Sequence, residues 1–138
     1  MMNFLSKVRS GDTVYFLGDL AWRDTIAELA FQNMPKKLTI HYIMGNHDKK
    51  YRKIIDKYCS SVSDLKTIKI EDQTIVLSHY AMRTWDKSHH GSWNFYGHSH
   101  GKLPPNKNQY DVGVDANNFY PISFPQVKDK IAKGNGNN

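Results

Sequence analysis

A chain of 138 residues that is 39% hydrophobic and 23% charged has the make-up of one folded domain, able to bury roughly two thirds of the surface its unfolded form exposes, and is too apolar for wholesale disorder. No stretch approaches the roughly 18 apolar residues of a membrane span, the amino end "MMNFLSKVRSGD" lacks the apolar centre and cleavage site of a secretory signal, and a single cysteine, Cys59, excludes an internal disulfide, which together set the expectation of a cytoplasmic protein with no membrane partner. The net charge of +6 favours anionic partners, nucleic acid among them.

In chain order, "TVYFLGDL" predicts a short buried strand over Thr13–Leu17 that ends in Gly-Asp. "TIAELAFQNM" follows with Ile26, Leu29, Ala30 and Met34 at helical spacing, and Pro35 as a stop. "KLTIHYIMGN" reads as a second apolar strand ending in a Gly-polar turn. "KKYRKIIDKYC" predicts a helix with Tyr51, Ile54, Ile55 and Tyr58 on one side and Cys59 half-buried at its end. The strands "LKTIKI", "TIVLSHY", "SWNFYGH" and "YDVGVD" come next, with "EDQ" as the turn between the first two. "SFPQVKDKIAK" predicts a closing helix, since Pro125 lies in its first turn, where proline is tolerated. Residues 1–133 then form one domain, and 134–138, all Gly and Asn, an unstructured tail.

Strand-helix units followed by a run of strands suggest a mixed α/β layered domain. Asp19, Asn46, His79 and His98 each fall near the carboxyl end of an apolar strand, the edge where open α/β sheets bind ligands. Singly, each has an ordinary explanation: Asp19 as a helix cap, Asn46 as a turn residue, His79 as an interior histidine. "FYGHSHG" is less ordinary. If that segment is extended, His98 and His100 point to the same side, and a metal ion gives both imidazole lone pairs a use. Asp111 and Asp115 in "YDVGVD" are expected to be structural. The basic run Lys49, Lys50, Arg52 and Lys53 directly follows "GNHD" and is placed to concentrate a phosphate-bearing substrate.

The ordered set "GD", "GNHD", "SHY" and "GHSH", spanning Gly11 to about Lys133, resembles the calcineurin-like metallophosphoesterases. The small phosphoesterases of that family are the nearest likeness, through "GDTVYFLGDL" and "YDVGVDANNFYP". The resemblance implies an αββα layered sandwich of mixed sheets. It implies that Asp19 bridges two metal ions, that Asn46, His79 and His98 complete the shell of one, and that His100 reaches the other. It also implies that His47 protonates the leaving oxygen, with Asp48 orienting it and favouring its protonated form. The implied reaction is hydrolysis of a phosphomonoester or phosphodiester by metal-activated hydroxide.

A thiolate-free oxygen and imidazole donor set suits Mn, Fe, Zn or Ni, one or two ions, with Mn favoured. His89 and His90, in the loop before "GHSH", are further candidates for contact with substrate. A small chain without a cap domain leans toward small soluble phosphodiesters or nucleotides.

The family pattern opens with a strand ending in Asp-x-His, and no such motif precedes Asp19 here. "MNFLSKVRSGD" resembles the end of the helix that follows that strand, so the first strand is expected to be missing. Three arrangements are open: a piece of a longer protein, a strand donated by a partner chain or a second copy, or a reduced site with one metal and weak or no hydrolysis. The last merges with a different class of function, a catalytically silent metal-binding or interaction module.

Overall fold

The computed structural model describes residues 7–18, 24–98, 107–113 and 121–133. Its elements are β1 (Thr13–Phe16), α1 (Asp24–Gln32), β2 (Thr39–Ile43), a 3-10 turn (Lys49–Tyr51) leading into α2 (Arg52–Tyr58), and β3 (Ser61–Ser63). Then come β4 (Leu65–Ile70), β5 (Gln73–Ser78), a second 3-10 turn (Ser88–His90), β6 (Trp93–Tyr96), β7 (Gln109–Asp111) and α3 (Phe124–Ala132).

The strands form two sheets. One has the order β1-β2-β3 and is parallel throughout. The other has the order β4-β5-β6-β7, with an antiparallel β4–β5 hairpin and parallel β5–β6 and β6–β7 pairs. The hairpin turns at Glu71 and Asp72, both at positive φ (50° and 68°). That is the backbone of a two-residue turn whose twist matches its flanking strands, so the turn expected at "EDQ" is in place.

Strand alternation divides the core in two. On one face of β2, Ile40 and Tyr42 meet Phe31, Met34, Tyr51 and Ile55, which fastens α1 and α2 to the parallel sheet. The rings of Phe31 and Tyr58 stack at 5.1 Å and join the two helices. On the other face, Ile43 and Leu17 pack against Ile75, Leu77 and Phe95 of the second sheet. Helix α3 adds Val127 to this inter-sheet core, and its Phe124 lies against Trp93. Full burial of an aliphatic or aromatic side chain of this size contributes about 1.5–3 kcal/mol, so these two clusters hold the sandwich together. α3 begins with a capping box: the Gln126 N–H bonds to the Ser123 hydroxyl, and the Gln126 side chain accepts from the Ser123 N–H.

Two local expectations are corrected. Leu29 does not lie on the buried side of α1; it is 56% exposed, while Met34, expected on the same stripe, is buried together with Phe31. The apolar spacing was satisfied by two overlapping stripes, and the packing partners on α2 selected one. β3, the short "SVS" strand, was not anticipated, because three residues without an apolar run carry no periodic signal. No helix among the described residues is long and apolar enough to cross a membrane.

Candidate metal centre

Four strands end at one place. After β1 comes Gly18, after β2 Gly45 and Asn46, after β5 His79, and after β6 Gly97 and His98. The approach is close enough to demand glycine. A Cβ on Gly18 would lie 2.6 Å from His79 Nδ1 and 2.7 Å from the Gly45 Cα, and Gly18 has φ +95° besides. The Gly97 N–H donates to the His79 carbonyl at 3.1 Å, tying the ends of β5 and β6.

His79 is 2% exposed, and its ring is fixed on both sides. Nδ1 lies 2.6 Å from the Leu17 carbonyl oxygen, which can only accept, so Nδ1 carries a proton and Nε2 is the nitrogen that can offer a lone pair. That lone pair faces Asn46 Oδ1 at 2.9 Å and His98 Nδ1 at 3.1 Å. A proton on His98 Nδ1 lets the two rings hydrogen-bond, whereas a shared cation would engage the Nε2 lone pair together with the amide oxygen. The spacing agrees: with metal–ligand bonds of about 2.0–2.2 Å, donors at right angles around one ion lie about 3 Å apart. The bond to Leu17 is also the outer partner that fixes the tautomer of a ligating histidine. The described donors therefore fit a divalent metal ion.

His98 has φ +62°, a left-handed backbone that costs a non-glycine residue of order 1 kcal/mol and tends to occur at functional sites. This corrects the premise behind the His98–His100 pair. β6 ends at Tyr96, and His98 is not extended, so spacing by two says nothing about where the second imidazole points. His100 itself, with Asp19 and Asp115, lies outside the described residues. Among the described residues there is no cluster of three or more His, Cys, Asp or Glu; the third donor is the amide of Asn46. Tyr80, 51% exposed, sets its ring beside both imidazoles, 4.9 Å from His79 and 4.6 Å from His98.

The "GNHD" turn is built around Asp48, a carboxylate only 1% exposed. It accepts the Tyr42 hydroxyl at 3.1 Å and the Gly45 N–H at 2.7 Å. Asp48 thereby sets the turn that presents Asn46 and His47, both exposed. His89 and His90 occupy the 3-10 turn in the loop between β5 and β6, exposed to solvent. Lys49, Lys50, Arg52 and Lys53 are exposed beside the turn, with Arg52 paired to Asp56 at 3.0 Å. Asp111 accepts the Gly113 N–H at 2.9 Å, a bond within its own turn.

Sequence reasoning missed the residues that hold His79 from behind. Asn94 is fully buried in β6; its amide donates to the Val76 carbonyl and the Ser78 hydroxyl, each at 3.0 Å, and accepts from the Met82 N–H and the Gln109 side chain. The Ser78 hydroxyl in turn donates to the Tyr80 carbonyl at 2.6 Å, closing a turn over His79. The signal was an asparagine inside the apolar run "WNFY". The Leu17 carbonyl left no signal, being backbone.

A model of the calcineurin-like phosphoesterase superfamily domain matches residues 1–113, and the chain belongs to that superfamily. It is thus a member of a metal-dependent phosphoesterase superfamily, whose members act on phosphate esters with divalent metals. It is 28% identical over 141 residues to the uncharacterized protein MJ1445 of Methanocaldococcus jannaschii, covering 96% of this chain and 73% of that one. Its fold is similar to the crystal structure of AQ665, a protein of unknown function from Aquifex aeolicus, with a TM-score of 0.70 at 21% identity over 93% of this chain and 81% of that one.

Proposed function

We propose that the chain is a metal-dependent phosphoesterase acting on small phosphomonoesters or phosphodiesters, nucleotides included. The supporting observation is that Asn46 Oδ1 and His98 Nδ1 lie 2.9 and 3.1 Å from His79 Nε2 at the carboxyl ends of the strands. These three residues would hold one divalent cation, Mn favoured, with Asp19 as bridging carboxylate; Asp19 and His100 would serve a second ion. Such a cation supplies positive charge for phosphoryl oxygens and lowers the pKa of water at the site.

The remaining work falls to the chain itself. His47, exposed beside Asn46, donates a proton to the departing oxygen. Asp48 keeps the turn closed and His47 directed. The Lys49–Lys53 run raises the local concentration of phosphate-bearing substrate. His89 and His90 line the approach.

The test is a titration with Mn followed by turnover of bis(p-nitrophenyl) phosphate and p-nitrophenyl phosphate, with and without chelator. Chelator-sensitive hydrolysis supports the reading. Stoichiometric metal binding without turnover at saturating Mn would support a catalytically silent module. Nucleic-acid affinity that survives chelation and falls steeply with salt would support a basic binding protein instead.

A further inference from the structure

Tyr80 stands two residues beyond the end of β5 and is one of three large hydrophobic side chains left exposed among the described residues, with Leu29 on α1 and Leu65 at the start of β4. Of the three, Tyr80 is the one whose ring meets the candidate ligands. Its centroid lies 4.9 Å from that of His79 and 4.6 Å from that of His98, at interplanar angles of 79° and 59°. Neither imidazole lies flat on the phenol ring, so neither closes it off as a parallel stack would. Covering the histidines does not account for this placement: His98 stays exposed, and Tyr80 keeps 51% of its own surface open.

The backbone that carries the ring is held from the interior. The Ser78 hydroxyl donates to the Tyr80 carbonyl at 2.6 Å and accepts from the Asn94 amide at 3.0 Å. Two residues further on, the Met82 N–H donates to Asn94 Oδ1 at 3.2 Å, and the Met82 carbonyl accepts from the Gln109 side chain at 2.6 Å. Ser78, Asn94 and Gln109 are all buried, where such bonds are strengthened by the low local dielectric. The turn is thus firmly supported, and its tyrosine has only two side-chain torsions to order. A ring presented in this way offers flat contact area to a ligand at small entropic cost.

We propose that Tyr80 is a specificity-determining platform on which the planar base of a nucleotide stacks while its phosphate lies at the cation. The proposal rests on the metal-dependent phosphoesterase reading and narrows its substrates to phosphoesters that carry a nucleobase, as against those of sugars or other aliphatic alcohols. The candidate ligands and the basic run recognise phosphate, which every phosphoester shares, and do not discriminate the organic group. An aromatic ring beside them does, because every base has a π-face to stack and a saturated group has none. Tyr80 moves no proton and holds no metal in this scheme; it decides which substrate is retained.

The probes are AMP and ribose 5-phosphate, which share the sugar and the phosphate and differ in the base, titrated calorimetrically into the full chain at saturating Mn. AMP is expected to bind at least tenfold tighter. Tyr80→Leu should bring the two within twofold of each other by weakening AMP alone, and Tyr80→Phe should keep the preference. Mn affinity should be the same in all three proteins. Equal affinity for the two phosphates in the unaltered chain overturns the proposal, as does a preference for AMP that survives Tyr80→Leu. Loss of Mn affinity in Tyr80→Leu makes the ring a support for His79 and His98 instead, and also overturns it. Ribose 5-phosphate separates these failures from failure of the underlying reading: if neither phosphate binds, the phosphoesterase assignment of the site falls, and the platform with it.

Discussion

At the scale of single residues, the site separates donors from supports, and substitution distinguishes them. Asn46→Asp keeps an oxygen donor and adds charge, so Mn binding should be retained or tightened. Asn46→Leu leaves His79 Nε2 without its oxygen partner, and Mn affinity should fall at least tenfold, measured by calorimetric titration. His47→Ala should lower turnover by roughly 10²–10⁴ through lost proton donation while metal content is preserved; loss of the metal would instead place His47 among the ligands. Gly18→Ala puts a methyl into His79 and Gly45 at a positive φ, and the strain should destabilise the fold by about 1–3 kcal/mol in denaturant unfolding. The places of Asn46, His79 and His98 were legible because each closes an apolar strand whose end the sequence marks with a polar or glycine turn. The pairing of Asp48 with Tyr42 and Gly45 was not, since nothing in a linear sequence says which partner a buried carboxylate finds.

At the scale of elements, β6 is both a core strand and a support. Its odd-numbered residues, Trp93 and Phe95, face the inter-sheet core, while Asn94 bonds to the loop that follows β5. Tyr96 closes the strand with no exposed surface, and burial first, then Asp111 and Tyr110 nearby, pushes its phenol up from 10 to about 12. The folded-state pKa is raised, so the unfolded chain gives up this proton first. The stabilisation is complete below about pH 10 and is lost as pH climbs toward 12. Unfolding midpoints measured between pH 9 and 12 should fall across that window, and Tyr96→Phe should flatten part of the decline. Cys59 at the end of α2 behaves similarly, its thiol pushed up to about 12 by burial and by Asp56, which makes it an inert packing residue rather than a nucleophile. Element boundaries were mostly legible in the chain because hydrophobic period and turn residues agree. β3 and the active face of α1 were not, because both are decided by neighbours distant in sequence.

At the scale of the whole molecule, the two sheets meet through side chains in the middle and through the strand ends at the site. A cation held by Asn46 of one sheet's loop and by His79 and His98 of the other should therefore brace both. Saturating Mn ought to raise the thermal midpoint, by an increment that grows with concentration as expected for a ligand of the native state alone, and excess chelator ought to reverse it. Equal midpoints with and without Mn would mean the donors do not share an ion.

The bond from His79 Nδ1 to the Leu17 carbonyl crosses from one sheet to the other. The imidazole is thus a rivet between the sheets as well as a proposed metal ligand. A lineage that abandoned hydrolysis would still be penalised in folding for losing this histidine, so its persistence in a relative is poor testimony to turnover. The exposed amide at position 46 is the more telling relic to look for.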